Sequence, residues 1–187
     1  MSIKFGPIFH VGYAVPDMHK ALAYWTGVMG VGPFFLERHV TGDDEEYIYK
    51  GRRCVQDVTV AHAYTGEMDI ELICPNLHAP SPVCDYLDRH PEGGVQHLGV
   101  LIDDWEATLA RPEVKPHLVL EGHAGNIRIA FCDGFAMGGT ALEFIEASDE
   151  IRAKFGKLKT FCDAWDGSDP IRGKIGAASH GGMTGRA

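Results

Sequence analysis

Four residues stand out for the chemistry they could do: His10, Glu71, His97 and Glu143. Phe9 and Val11 flank His10, Ile70 and Leu72 flank Glu71, Leu142 and Phe144 flank Glu143, and Leu98 follows His97. Neighbouring side chains on a strand point to opposite faces. The apolar flanks therefore suit a face packed under helices, and the four polar groups belong to the other face. Two imidazoles and two carboxylates are suitable ligands for a divalent ion such as zinc, nickel, cobalt, iron or manganese. Two glutamates would neutralise such an ion. Without it, facing carboxylates would raise one another's pKa.

A single histidine in an apolar strand is more often a satisfied core residue than a ligand. Internal repetition strengthens the reading of the set. Phe9-His10-Val11-Gly12 rhymes with Gln96-His97-Leu98-Gly99. An aspartate follows each histidine by seven residues, Asp17 and Asp104, and a leucine by twelve, Leu22 and Leu109. Asp17 is a good N-cap for a helix from Met18 to about Met29, stopped by Gly30. Asp104 caps a shorter helix that must end before Pro112. Met68-Asp69-Ile70-Glu71-Leu72-Ile73 resembles Thr140-Ala141-Leu142-Glu143-Phe144-Ile145. Val55 to Tyr64, Leu118 to Leu120 and Ile127 to Cys132 add strand-like sequence between. The pattern is strand, helix, then about three strands, twice over. Symmetric packing of the halves would bring the four polar side chains to one concave sheet surface.

The connection between halves contains Ser81-Pro82, a strong helix start, with the helix ending about Arg89 before Pro91. After the second half, Ser148 caps a long helix whose apolar stripe is Ile151, Phe155, Leu158, Cys162 and Trp165. That stripe suits either the chain's own sheet or a partner subunit's. Gly167 ends the helix, and the glycine-rich residues 168–187 read as a loosely ordered tail. A domain over 7–147, with modules of about 7–75 and 94–147 and a linker helix over 81–90, is followed by the helix at 148–167.

Composition narrows the function classes. The chain has 187 residues, 45% hydrophobic and 23% charged, enough for one mid-sized domain with a core of its own. The formal net charge of −9 argues against nucleic acid or an anionic membrane as partner. The five cysteines are widely spaced without a CxxC pair, so a disulfide framework and a cysteine zinc site are both disfavoured. Reduced thiols point to a cytoplasmic setting. Neither a signal peptide at the N-terminus nor an apolar run of membrane-spanning length is evident. No glycine-rich phosphate fingerprint follows a strand and opens a helix.

These segments resemble the vicinal oxygen chelate superfamily of glyoxalases, methylmalonyl-CoA epimerase, bleomycin-resistance proteins and extradiol dioxygenases. The resemblance covers roughly residues 7–147. It implies an α+β fold of paired βαβββ modules forming a curved mixed sheet around a metal-binding cavity, with the ligand positions falling on His10, Glu71, His97 and Glu143. Extradiol dioxygenases leave the position of Glu71 without a ligand, epimerases have glutamine there, and glyoxalase I has glutamate. Bleomycin-resistance proteins usually lack the metal set.

The resemblance implies a metal-dependent isomerase, epimerase or lyase acting on a small carbonyl substrate through a metal-stabilised enolate or enediolate. The alternatives are an extradiol-type dioxygenase and a non-enzymatic binding or resistance protein. By the same resemblance Glu143 is the expected base as well as a ligand, and a homodimer is expected. An epimerase needs a second base across the cavity, for which Asp57 is the candidate. Arg128 suits either a substrate anion or a surface carboxylate. His62 and Tyr64 could face the cavity but read more readily as exposed or core-edge residues, and the remaining histidines read as solvated.

Overall fold

The computed structural model describes residues 5–41, 47–124, 127–134 and 139–173. In chain order the elements of the first half are β1 (Ile8–Ala14), α1 (Met18–Gly27), β2 (Phe34–Thr41), β3 (Ile48–Tyr49), β4 (Arg52–Arg53), β5 (Asp57–Thr65) and β6 (Met68–Pro75). The linker helix α2 (Pro82–Arg89) leads to β7 (Gly94–Ile102), α3 (Trp105–Leu109), β8 (Leu118–Ala124), β9 (Ile127–Cys132) and β10 (Ala141–Glu146). The chain then forms α4 (Asp149–Asp163) and β11 (Ile171–Gly173). Side-chain caps start all four helices: Asp17, Ser81, Asp104 and Ser148 accept from the amides of Lys20, Cys84, Ala107 and Ile151. Such a cap contributes about 1 kcal/mol.

All strands join one mixed sheet in the order β11-β2-β5-β6-β1-β7-β10-β9-β8-β3-β4. The sequence β2-β5-β6-β1 is mirrored by β8-β9-β10-β7, as paired βαβββ modules require. In each module the first and last strands pair in parallel, and β1 meets β7 antiparallel at the seam. The small β3–β4 hairpin of the first half crosses the repeat and pairs with β8 of the second.

The seam explains the glycines of the two repeated motifs. His10 lies opposite Gly99, and Gly12 lies opposite His97. A Cβ on Gly12 would fall into the His97 ring, and one on Gly99 would stand 2.9 Å from the His10 Cβ. Each motif therefore supplies one histidine and the gap for the other. The ladder is irregular at two symmetric places. Between Ile8 and His10, and again between Val95 and His97, one strand advances two residues while its partner advances one. Phe9 and Gln96 are thus the extra residues of two β-bulges, each directly before a histidine.

Helices α1 and α3 cover one face of the sheet. Leu22 of α1 packs with Ala61, Ala63, Ile70 and Leu72. Trp105 and Leu109 of α3 pack with Val100, Ala130 and Phe144. Helix α4 covers the opposite face, with Ile151, Phe155 and Leu158 against Tyr64, Ile129, Phe131, Ala141 and Ile145. Its apolar stripe is therefore covered by the chain's own sheet. Beyond α4, β11 adds a parallel strand to the edge at β2, pairing Ile171 with Phe34. The expected loose tail is thus built as a strand at 171–173, and residues 174–187 lie outside the described residues.

Gly12→Ala is expected to destabilise the protein by about 1–3 kcal/mol, because the new methyl forces the His97 ring out of place. Gly27→Ala, at a site with nothing within 4 Å of the added carbon, is expected to be neutral or to stabilise by up to about 1 kcal/mol. Urea denaturation of the two variants measures the contrast.

Candidate metal centre

The two seam strands deliver the histidines, and their parallel neighbours deliver the carboxylates. Glu71 of β6 lies opposite Gly12, and Glu143 of β10 lies opposite Gly99. Strand alternation sends Ile70 and Leu72 under α1 and Leu142 and Phe144 under α3. The glutamates point the other way, and all four polar residues are more than nine-tenths buried.

Their end atoms converge. His10 Nε2 and His97 Nε2 are 2.8 Å apart. Glu71 Oε2 stands 3.1 Å from both nitrogens. Glu143 Oε2 stands 3.4 Å from His97 Nε2 and 3.8 Å from His10 Nε2.

The outer nitrogens fix what the inner ones can do. His10 Nδ1–H donates to Asp69 Oδ2 at 2.9 Å, and His97 Nδ1–H donates to Gln96 Oε1 at 2.7 Å. These bonds favour the tautomers that leave a lone pair on each Nε2. With both rings neutral, two lone pairs and two carboxylate oxygens then face one another, and only a proton on an imidazole or a bound cation can sit between them. A bound cation resolves that conflict. Adjacent ligand atoms on an ion with bonds of about 2.1 Å lie roughly 3.0–3.4 Å apart, close to the spacings here. Hydrogen-bonded outer partners of this kind also orient metal-binding histidines. The donor set thus fits a divalent ion held by His10, Glu71, His97 and Glu143.

Without an ion, the site's charges couple strongly. Burial opposes protonation of His10, but its hydrogen bonds with Asp69 and Glu71 outweigh burial and raise its pKa well above the ordinary value. Burial works to raise Glu71, yet its bonds with His10 and His97 hold it well below the usual carboxylate range. Glu143 moves the opposite way: burial outweighs His97 and His10, and the charge of Glu71 adds to the upward push.

A cavity of about 270 Å³ opens over these atoms. Val58, Val60 and His62 of β5, Ile129 and Phe131 of β9, and Lys154 and Phe155 of α4 are among the residues that line it. His62 thus faces the cavity, the less favoured of the two roles open to it from sequence. Its Nδ1–H donates to Asp69 Oδ2 at 3.0 Å, and its Nε2 lies 3.6 Å from Glu71 Oε1.

Asp57 lies outside the cavity. It has the opposite strand parity to Val58 and His62, and its carboxylate binds Asn76 Nδ2 at 2.8 Å and His39 Nδ1 at 3.1 Å. That geometry removes it as the second base. Arg128 also turns away, ion-paired with Glu106 and Glu146 and stacked over Trp105.

Asp69 and Gln96 were not singled out from sequence as site residues. Asp69 had a usable signal, since it shares a strand face with Glu71 two residues on. Gln96 had a fainter one, as a polar residue where alternation calls for an apolar one.

The fold and the four-residue cluster define a paired-module protein with a buried group of candidate metal ligands. Residues 9–131 match the family described as the Glyoxalase/Bleomycin resistance protein/Dioxygenase superfamily, and the chain belongs to it. It is 30% identical over 104 residues to methylmalonyl-CoA epimerase, mitochondrial, of Bos taurus, covering 54% of this chain and 49% of that protein. It is 28% identical over 99 residues to an ethylmalonyl-CoA/methylmalonyl-CoA epimerase of Cereibacter sphaeroides, covering 53% and 63%. The chain thus spans about half to three-fifths of the length of these relatives. The crystal structure of methylmalonyl-CoA epimerase from Mycobacterium tuberculosis superposes with a TM-score of 0.60 at 21% identity, covering 82% of this chain and 96% of that one. At that identity the likeness shows the fold.

Asp69→Asn is expected to weaken metal binding about 10–100-fold, the usual effect of removing a hydrogen-bond partner of a ligating histidine. Asp57→Asn is expected to leave it unchanged. Competition with a chromophoric chelator measures both.

Proposed function

We propose that this chain is a metal-dependent epimerase or isomerase that moves a proton at the carbon beside a carbonyl. The observation that carries this reading is the placement of two proton acceptors, Glu143 and His62, on one cavity beside the convergent His10, Glu71 and His97. A divalent ion held there supplies Lewis-acid stabilisation of the oxygen that gains charge when the neighbouring proton leaves. The choice of metal stays open among zinc, nickel, cobalt, iron and manganese.

The chain's own groups account for the proton. Without an ion, burial and the charge of Glu71 push the Glu143 carboxyl upward; a bound cation would favour its ionised form, the form a general base needs. Glu143 is the proposed acceptor on one side, through the carboxylate oxygen not facing the two Nε2 atoms. His62, held by Asp69, is the proposed second acceptor in the role first expected of Asp57. Val58 and Val60 of β5 and Ile129 of β9, with Phe155, give the cavity an apolar wall. A small acyl group with a carbonyl is the proposed substrate, and the acyl-CoA thioesters in the relatives' names are the first compounds to test.

A carboxylate at the position of Glu71, 3.1 Å from both Nε2 atoms, favours this reading over a dioxygenase site with that position open. The convergent ligand set favours it over a metal-free binding protein. Five unpaired thiols support a reducing compartment, and the proposed setting is the cytoplasm. Among the described residues no helix is long and apolar enough to cross a membrane. A homodimer is proposed as well. Tyr24, Val28 and Met29 at the end of α1 are 53%, 71% and 50% exposed and offer an apolar surface for it. A monomer on sizing chromatography at micromolar concentration would remove that part.

Deuterium exchange at the α-carbon of methylmalonyl-CoA, in metal-loaded protein in heavy water, tests the activity. Glu143→Gln is expected to slow exchange about 10²–10⁴-fold. His62→Gln is expected to leave exchange with one enantiomer while interconversion of the two falls. Equal exchange and interconversion in both variants would contradict the two-acceptor scheme.

A further inference from the structure

One cavity group has no part in the proton transfer. Lys154 of α4 lines the cavity, is partly buried, and makes no ion pair or hydrogen bond with a described residue. Its ammonium is thus available to an anion that enters the cavity. The other cations of the chain that the structure describes near this region are engaged elsewhere. Arg128 pairs with Glu106 and Glu146, and Lys159 with Glu67 and Asp163. Lys154 is the lysine or arginine among the described cavity-lining residues.

Its backbone is well anchored. Phe155, the next residue, packs edge-on against Phe9 at 5.0 Å and against His62 at 6.2 Å between ring centroids. Further along α4, Cys162 Sγ accepts the Tyr64 amide. The helix thus holds the start of a flexible four-carbon arm beside the metal centre while the ammonium can swing.

The structure assigns Lys154 as a specificity residue that recognises a carboxylate on the substrate, apart from the oxygens placed at the metal centre. A carboxylate suits the setting better than a phosphate of a large carrier. At about 270 Å³ the cavity has room for a small substrate or the acyl end of a larger one, and it is lined by Val58, Val60 and Ile129 beside Glu37, His39 and Gln56. The substrate class is therefore a small carbonyl compound bearing a carboxylate. This assignment rests on the metal-centre reading given above, because the metal end must anchor the carbonyl.

The test uses 2-oxoglutarate and its distal N,N-dimethylamide, which cannot close onto the ketone, binding to manganese-loaded protein by calorimetry. Both offer the same adjacent oxygens and differ in the distal charge. The wild-type chain is expected to prefer the acid by about 10–100-fold, as a charged hydrogen bond warrants. In Lys154→Met that preference is expected to fall to near unity, with metal content and amide affinity unchanged. Lys154→Arg is expected to keep most of it. A preference that survives in Lys154→Met, or equal or absent binding of both compounds to the wild type, would overturn the assignment. A Lys154-dependent affinity seen with coenzyme A alone would overturn it in favour of a phosphate. These binding results are separable from the activity proposal, which stands or falls on α-carbon exchange and metal content.

Discussion

The antiparallel seam of β1 and β7 is the constraint on which the rest of the structure depends. It sets His10 against Gly99 and His97 against Gly12, so the two imidazoles can lie against one another only because each partner residue has no side chain. The parallel neighbours β6 and β10 then have one available register for their glutamates. A slip of one residue would send Glu71 and Glu143 under α1 and α3, where an unpaired carboxylate is costly. Fold and ligand geometry are thus one constraint seen at two scales.

The halves solve the same problem with different residues. Asp69 sits opposite His10 and bonds its Nδ1, while the equivalent residue opposite His97 is Ala141, with no polar side chain. The second half uses its bulge residue instead, and Gln96 bonds the Nδ1 of His97. The matching bulge residue of the first half, Phe9, packs on Phe155. The asymmetry gives the two sides of the site unlike roles: a charged orienting group shared with His62 on one side, a neutral one on the other. It also ties the cavity roof to the metal centre through Phe9 and Phe155.

Much of this was legible in the sequence because it repeats. The doubled histidine–glycine motif, the caps Asp17 and Asp104, and the two glutamate-bearing strands lead to the modules and to the four converging residues. What depended on side-chain parity past an irregular ladder was not legible. Asp57 looked suitable by position on β5, but it lies one residue off the cavity face that His62 and Val58 share. The role of Gln96 needed the bulge, which alternation alone does not reveal. The placement of α4 was open because an amphipathic stripe does not name the surface that covers it. The hairpin at β3–β4 and the short strand β11 are too brief to leave a periodic pattern and are set by tertiary pairing.

The central claim is that two histidines and two glutamates on facing modules bind one divalent ion. X-ray absorption spectroscopy of the protein reloaded with manganese or cobalt tests it most directly. The account predicts one ion per chain, two imidazole ligands with the remaining ligands oxygen, and loss of an imidazole in His97→Ala. An ion with no imidazole in its shell, or a spectrum unchanged in that variant, would contradict it.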